Sequence, residues 1–490
     1  MLFNSISFLI FFPIVTLLYY ILPSRLRNIW LLIASYYFYM NWNAKYALLI
    51  LASTVITYLS GLLIERSNAH NKHNSKCILI LCLIFNLGIL FVFKYFNFVV
   101  GSLHLDVPSL DLILPVGISF YTFQALGYVI DCYRSDCKAE HNFINYALFV
   151  SFYPQLVAGP IERSTNLLHQ IRSVSSHTRR ELLSYKRIRD GLSLMIWGLF
   201  LKLVIADRVG ILVDTVFQEY YRYGSCALIL GAVGFGIQIY CDFGSYSTIA
   251  IGAAKVMGFE LMDNFNAPYL ASSIGEFWRR WHISLSIWFR DYLYIPLGGN
   301  RKGFFRKLIN ILIVFTVSGL WHGAAWTFVF WGLLHGTYQV IENLFKPLWR
   351  KICLNTGSNT DNFGYKAIKV LITFILVDFA WIFFRATSVT EAFEYIHRLL
   401  TIPDLWQMSG EGLYTLGLSA TQFHILIPSL LILLFVDIIY QHKHLRFDKW
   451  LSIQWMPFRV IVLAFLLTWT IVHGIYGPGF DARQFIYFQF

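Results

Sequence analysis

The sequence predicts an all-α polytopic membrane protein, and three observations carry that reading. Of its 490 residues, 57% are hydrophobic and only 13% charged, whereas soluble globular chains have about 45–50% apolar and about 25% charged residues. Apolar runs long enough to cross the hydrocarbon layer, about 20 residues each as helices, recur along its whole length. Lys and Arg gather in alternate loops, the pattern that membrane insertion imposes.

In order, the apolar runs fall at 6–23, 29–41 (with a short polar break), 46–63, 77–98, 113–130, 191–206, 226–258, 308–342 (read as two), 368–384, 424–440 and 456–475. They amount to roughly ten to twelve crossings. The first run has no basic segment ahead of it and no small-residue cleavage site behind it, so it is expected to be a retained span and not a signal peptide. No internal repeat is visible, and a single domain over 1–490 is expected.

The net charge of +12 invites a nucleic-acid partner, but the basic residues sit where topology needs them. Arg25 and Arg27 follow the first span, Arg66, Lys72 and Lys76 the third, and Arg134 and Lys138 the fifth, while 101–111 has no Lys or Arg. The N-terminus is therefore expected outside the cytosol, in a bacterial inner membrane, with no nucleic acid bound. The block Arg163, Arg172, Arg179, Arg180, Lys186, Arg187 and Arg189 is expected to be cytosolic, as is Lys346, Arg350, Lys351, Lys366 and Lys369. Residues 385–423 are more acidic, and the last span would return 477–490 to the outer side. Seven cysteines, none in a Cys-x-x-Cys or Cys/His metal spacing, indicate neither a disulfide framework nor a metal site. Cys132 and Cys137 could pair in an oxidising compartment, but their loop is expected in the cytosol, where thiols stay reduced.

Against this background the stretch EFWRRWHISLSIWFRDYLYIPLGGNRKG, 276–303, stands out. On a helical wheel Phe277, Trp278, Trp281, Leu285, Trp288 and Phe289 share one arc, and Glu276, Arg279, Arg280, Ser286, Arg290 and Asp291 the opposite one. This predicts one amphipathic helix, ended by Pro296, Gly298 and Gly299, lying interfacially or re-entrantly on the cytosolic side. The arginines taken singly suit anionic lipid head groups equally well. His282 lies at the border of the arcs, one turn before Ser286, where a side chain faces the interior. Ionisable groups inside membrane proteins are functional candidates because each must be offset by partners or water.

A second histidine, His322, comes forty residues later in SGLWHGAAWTFVFWGLLHG, flanked by Trp321, Gly323 and Trp326 with no carboxylate near it in sequence. Imidazole moves protons near neutral pH; a buried structural histidine is the competing reading. His335 lies about 220° further round a helix and is read as structural. Gly319 with Gly323, and Gly332 with Gly336, have helix-packing spacing. Asp131, Glu162 and Asp242 stand where polar, turn-forming residues interrupt apolar runs, and for each an ion pair is as good a reading as chemistry.

Taken together, LPVGISFYTFQALGYVIDCYR (114–134), AGPIER (158–163), YCDFGSYSTIAIG (240–252), the 276–303 stretch and GLWHGA (319–324) resemble the membrane-bound O-acyltransferases. The similarity covers about 1–385 and is nearest the bacterial alginate and peptidoglycan O-acetyltransferases, with the teichoic acid D-alanyl transferases more distant. It implies a ring of helices with re-entrant elements around a central site pierced from both sides. It also implies a catalytic His322 with His282 as companion. The expected reaction is transfer of a short acyl group, by preference acetyl, from a cytosolic thioester (acetyl-CoA or an acyl carrier) to a polysaccharide hydroxyl outside. No cofactor is expected to be bound, and an extracytoplasmic SGNH-type acetyltransferase or esterase is the expected partner, alongside membrane lipid. Arg279, Arg280, Arg290 and Arg301 would attract the donor's phosphates, which is an inference from charge and not a matched motif. D-alanyl transfer, a lipid-remodelling acyltransferase and a non-catalytic export channel or scaffold remain as alternatives.

Overall fold

The computed structural model describes residues 1–68, 72–174, 178–357 and 359–476. Among them the secondary structure is helical, with no strand. The tail 477–490 and the side chains of Arg179 and Arg180, for which a side of the membrane was expected, lie outside the described residues. Two compact units are distinguishable: residues 1–196 with 246–263, and residues 197–245 with the described chain from Asn264 onward.

In the first unit each apolar run folds as a helix: α1 Ile6–Ile21, α2 Ser24–Met40, α3 Ala47–Asn68, α4 Lys72–Leu90, which runs on through a π-turn, and α5 Ile118–Arg134. A hydrocarbon environment leaves backbone amides no partner but one another, which is why these runs cannot remain irregular. Two of the three interrupted motifs are resolved here as internal pairings. Glu162 is buried and accepts hydrogen bonds from the Met262 amide (2.6 Å) and Asn166 Nδ2 (2.7 Å). Asp131 accepts from the Ser164 hydroxyl at 3.3 Å. Helices α6 Tyr185–Phe200 and α7 Ser225–Met257 approach so closely in this unit that a Cβ on Gly191 would lie 2.7 Å from the Gly252 carbonyl oxygen.

The second unit carries the 276–303 stretch. The sequence expectation of one amphipathic helix there is corrected: two short helices, α8 Ile274–Arg280 and α9 Ile283–Phe289, are separated at Trp281 and His282, and a π-turn follows over Arg290–Tyr294. Trp281 is extended, and His282 adopts the left-handed conformation (φ 43°, ψ 54°). One residue in that region ends a helix whatever the polarity of its neighbours. The run 308–342 resolves as two helices, α10 Phe304–His322 and α11 Trp326–Asn355, followed by α12 Phe363–Arg385, α13 Val389–Thr401, α14 Ala420–Lys443 and α15 Met456–His473.

Glycine decides how α10 and α11 pack. A Cβ on Gly319 would sit 2.2 Å from the Phe328 carbonyl oxygen, and one on Gly332 would sit 2.3 Å from that of Phe315. The two backbones thus touch through small residues, the usual means of close helix packing where water gives no hydrophobic drive. Asp242, the third interrupted carboxylate, is buried and pairs with Lys202, whose Nζ lies 2.5 Å from it and 2.8 Å from Asp207.

Among the described residues seven helices are long and apolar enough to cross a membrane: Ala44–Asn68, Lys72–Ser102, Ser225–Met257, Phe304–His322, Phe363–Arg385, Ala420–Lys443 and Met456–His473. The other apolar runs fold as shorter or more polar helices, such as α1. The chain is an integral membrane protein.

Candidate active site

The geometry begins at a helix end. His322 is the last residue of α10, where Gly323 turns extended (φ −158°) and the connection 323–325 leads into α11. His282 occupies the break between α8 and α9. Forty residues apart in sequence, the two imidazoles stand with ring centroids 6.1 Å apart, and both side chains are buried (0% and 5% exposed).

The backbone around His282 is pinned on both sides. Asn264 accepts from the Ile283 amide through its carbonyl (3.0 Å) and from the Ser284 hydroxyl through Oδ1 (2.9 Å), while the Asn266 amide donates to the Arg280 carbonyl (2.9 Å). A non-glycine residue in the left-handed region is disfavoured by about 1–2 kcal/mol. Such strain persists only where surrounding bonds over-determine it, and it concentrates at functional sites.

Aromatic rings complete the enclosure. Phe243 stands edge-on to His282 (4.7 Å) with Trp321 at 5.9 Å, and Trp331 and Phe384 stand edge-on to His322 at 5.0 and 5.6 Å. His335, read as structural from its angular position, is buried and accepts a hydrogen bond from Trp278 Nε1 at 3.3 Å. Its ring lies 5.1 Å from Trp331, which also stands 5.0 Å from His322, so Trp331 contacts both imidazoles. Sequence reasoning placed Trp278 on the apolar arc but gave no signal for Asn264 or Phe384, whose roles depend on contacts across distant segments.

The four arginines are not brought together. Arg279 and Arg290 line a cavity of about 400 Å³ together with Lys307 and Lys346. Arg280 points elsewhere, paired with Glu276 and donating to the Ala267 carbonyl (3.3 Å) and Gln441 Oε1 (3.4 Å). Arg301 is exposed in the turn beyond and does not line the cavity. Arg290 itself is exposed and pairs with Asp291 at 2.7 Å. The lining of the cavity also includes Ser286 and Ser318. Each lies one helical turn from a histidine: Ser286 donates its amide to the His282 carbonyl (3.0 Å), and Ser318 is four residues before His322 on α10. The arrangement thus offers a buried imidazole pair for acid–base or acyl chemistry and, one turn away, a cavity with cationic residues in its lining.

The sequence pattern of the MBOAT, membrane-bound O-acyltransferase family matches residues 134–383, which contain both histidines. The chain belongs to the membrane-bound O-acyltransferase family. This acyltransferase is 38% identical to a probable alginate O-acetylase AlgI of Pseudomonas aeruginosa over 444 residues, 89% of this chain and 81% of the relative. It is 34% identical to a peptidoglycan O-acetyltransferase of Helicobacter pylori over 459 residues, 86% and 83% of the two chains. Similarity to a teichoic acid D-alanyltransferase of Bacillus subtilis is lower, 27% over 288 residues, 56% of this chain and 70% of the relative. The membrane-bound O-acyltransferase is thus more similar to these O-acetyltransferases than to that D-alanyl transferase.

Proposed function

We propose that this acyltransferase moves an acetyl group from a thioester on the cytosolic side to a hydroxyl of an extracytoplasmic polysaccharide. Alginate, peptidoglycan and other exopolysaccharides all present suitable hydroxyls. The enzyme would lie in the inner membrane with its N-terminus outside, as the basic loops require. A secreted SGNH-type partner would receive the acetyl group on a serine or finish its transfer to the polymer. The observation that carries the reading is the buried pair His282 and His322 beside a cavity whose lining includes Arg279, Arg290, Lys307 and Lys346.

In the reaction His322 takes the proton of the attacking hydroxyl as its oxygen bonds to the thioester carbonyl carbon. The carbon–sulfur bond breaks, and the proton passes to the departing thiolate, so no net proton is released. An alternative order has His322 carry the acetyl group transiently. His282 lies close enough for both imidazoles to reach one small acyl group, and its role is to orient or polarise the carbonyl. The surrounding Trp and Phe rings keep water from intercepting the thioester. Arg279 and Arg290 attract the phosphates of the acyl carrier at the cavity.

The test is the acetyl content of secreted or cell-wall polymer in cells carrying His322→Ala at matched protein level. Acid–base catalysis by a positioned side chain contributes about 10²–10⁴-fold, so acetylation should fall to background while the protein still accumulates. Normal acetylation in that variant would remove the catalytic assignment and favour an export channel or scaffold. An alanyl ester on the polymer in place of acetate would favour D-alanyl transfer, and an acyl product retained in membrane lipid would favour lipid remodelling.

A further inference from the structure

Cys132 and Cys137 are brought together by the end of α5. Ser135 adopts the left-handed conformation (φ 64°), its amide donates to the Cys132 carbonyl (3.1 Å), and the Asp136 amide donates back to the Asp131 carbonyl (2.9 Å). The chain therefore reverses at once, and the two sulfurs lie 3.6 Å apart, one thiol donating to the other. Beyond the turn the loop is fixed at several points. The Ala139 amide donates to Glu65 Oε1 (3.0 Å), the Glu140 amide to the Tyr128 hydroxyl (2.9 Å), and Glu140 pairs with Arg172. Sulfurs held this way need approach by only about 1.5 Å to reach the disulfide length of about 2.05 Å.

We propose that Cys132 and Cys137 form a redox-active dithiol that a small disulfide of the glutathione class oxidises to an intrachain disulfide. The two thiols are chemically unequal. Cys132 is buried, whereas Cys137 is partly accessible. The hydrogen bond from Cys132, then the Ser164 hydroxyl and the Arg172 charge, lower the Cys137 pKa below that of an ordinary thiol despite its partial burial. A thiolate near cationic groups is the nucleophile in thiol–disulfide exchange. Cys137 attacks one sulfur of the small disulfide, forming a mixed disulfide and releasing one small thiol. Cys132 then attacks the Cys137 sulfur, closing the bond and releasing the second thiol. Two electrons pass from the protein to the small disulfide, and both cysteine protons end on the released thiols or in water. In a reducing cytosol the pair rests as thiols, and it closes when the compartment turns oxidising, the pattern of redox-sensing cytosolic disulfides.

The full-length chain in detergent is incubated with excess glutathione disulfide, quenched with N-ethylmaleimide and digested with trypsin, which cuts after Arg134. The expected result is that the fragments bearing Cys132 and Cys137 remain joined, two hydrogens lighter than the separate thiols together, and part on treatment with dithiothreitol. In Cys132→Ser, whose hydroxyl keeps the local geometry, Cys137 should instead hold a stable glutathione adduct. Maleimide on both Cys132 and Cys137 of the treated wild type would overturn the proposal. So would a glutathione adduct on wild-type Cys137 that never closes, and an unmodified Cys137 in Cys132→Ser would overturn its assignment as the attacking thiol.

Discussion

Gly319→Ala tests whether the site depends on the contact between α10 and α11. The added methyl carbon would start 2.2 Å from the Phe328 carbonyl oxygen and 3.1 Å from Gly332 Cα. Ordinary van der Waals contact begins at 3.4 Å, so the two backbones must separate locally by about 1.2 Å. Neither contact is the end of a flexible side chain, so nothing can rotate aside. Overpacking of this kind costs about 1–3 kcal/mol. The shift also falls one turn before His322, which stands within 6.1 Å of His282. A misplacement of about 1 Å costs catalysis roughly 10²-fold when a reaction relies on positioned groups. The assay pairs thermal denaturation in detergent with acetyl transfer at matched protein level, using Val317→Ala on the exposed side of α10 as control. Gly319→Ala should lose most activity and some stability, and Val317→Ala little of either. Wild-type activity and stability in Gly319→Ala would refute both the close approach and the dependence of the site on it.

His282→Gly and His282→Ala both remove the imidazole and should both lose transfer, yet they should be nearly equal in stability. The left-handed penalty of about 1–2 kcal/mol that alanine carries offsets the chain entropy that glycine loses. If residue 282 lay inside a continuous helix, glycine would be worse by about 1 kcal/mol, and denaturant midpoints in detergent decide between the two. For the donor, Arg279→Gln with Arg290→Gln should weaken use of the acyl thioester by roughly ten- to a hundredfold per lost charge-assisted contact, read as a raised KM in purified protein. Arg280→Gln should instead lower stability, because it removes the ion pair with Glu276 and leaves that carboxylate held by the Ser272 amide and hydroxyl, with KM for the donor unchanged in the folded fraction. An equal rise in KM for both changes would show that Arg280 acts on the donor as well.

Much of this protein is legible in its sequence because hydrocarbon permits so few backbone solutions. Each apolar run had to become a helix, and the runs at 46–63, 77–98, 226–258, 368–384, 424–440 and 456–475 each lie, to within two residues at the end, inside a helix able to span. Family resemblance singled out His282 and His322 from short motifs, and glycine spacing announced the packing of α10 on α11. What the sequence left undecided turns on single residues and distant contacts. Hydrophobic periodicity averages over several turns, so it ran a helix through His282, where one left-handed residue held by Asn264 breaks it. Charge in sequence could not separate Arg279 from Arg280, neighbours of the same type. Their divergence depends on the direction of each side chain: Arg279 lines the cavity, and Arg280 reaches Glu276, Ala267 and Gln441. Sequence could name Cys132 and Cys137 only as a pair that an oxidising compartment would permit; the turn at Ser135 is what places their sulfurs 3.6 Å apart. Composition decides which segments become apolar helices because solvation acts on each residue locally, whereas the meeting of two imidazoles from segments forty residues apart exists only once tertiary packing has closed around them.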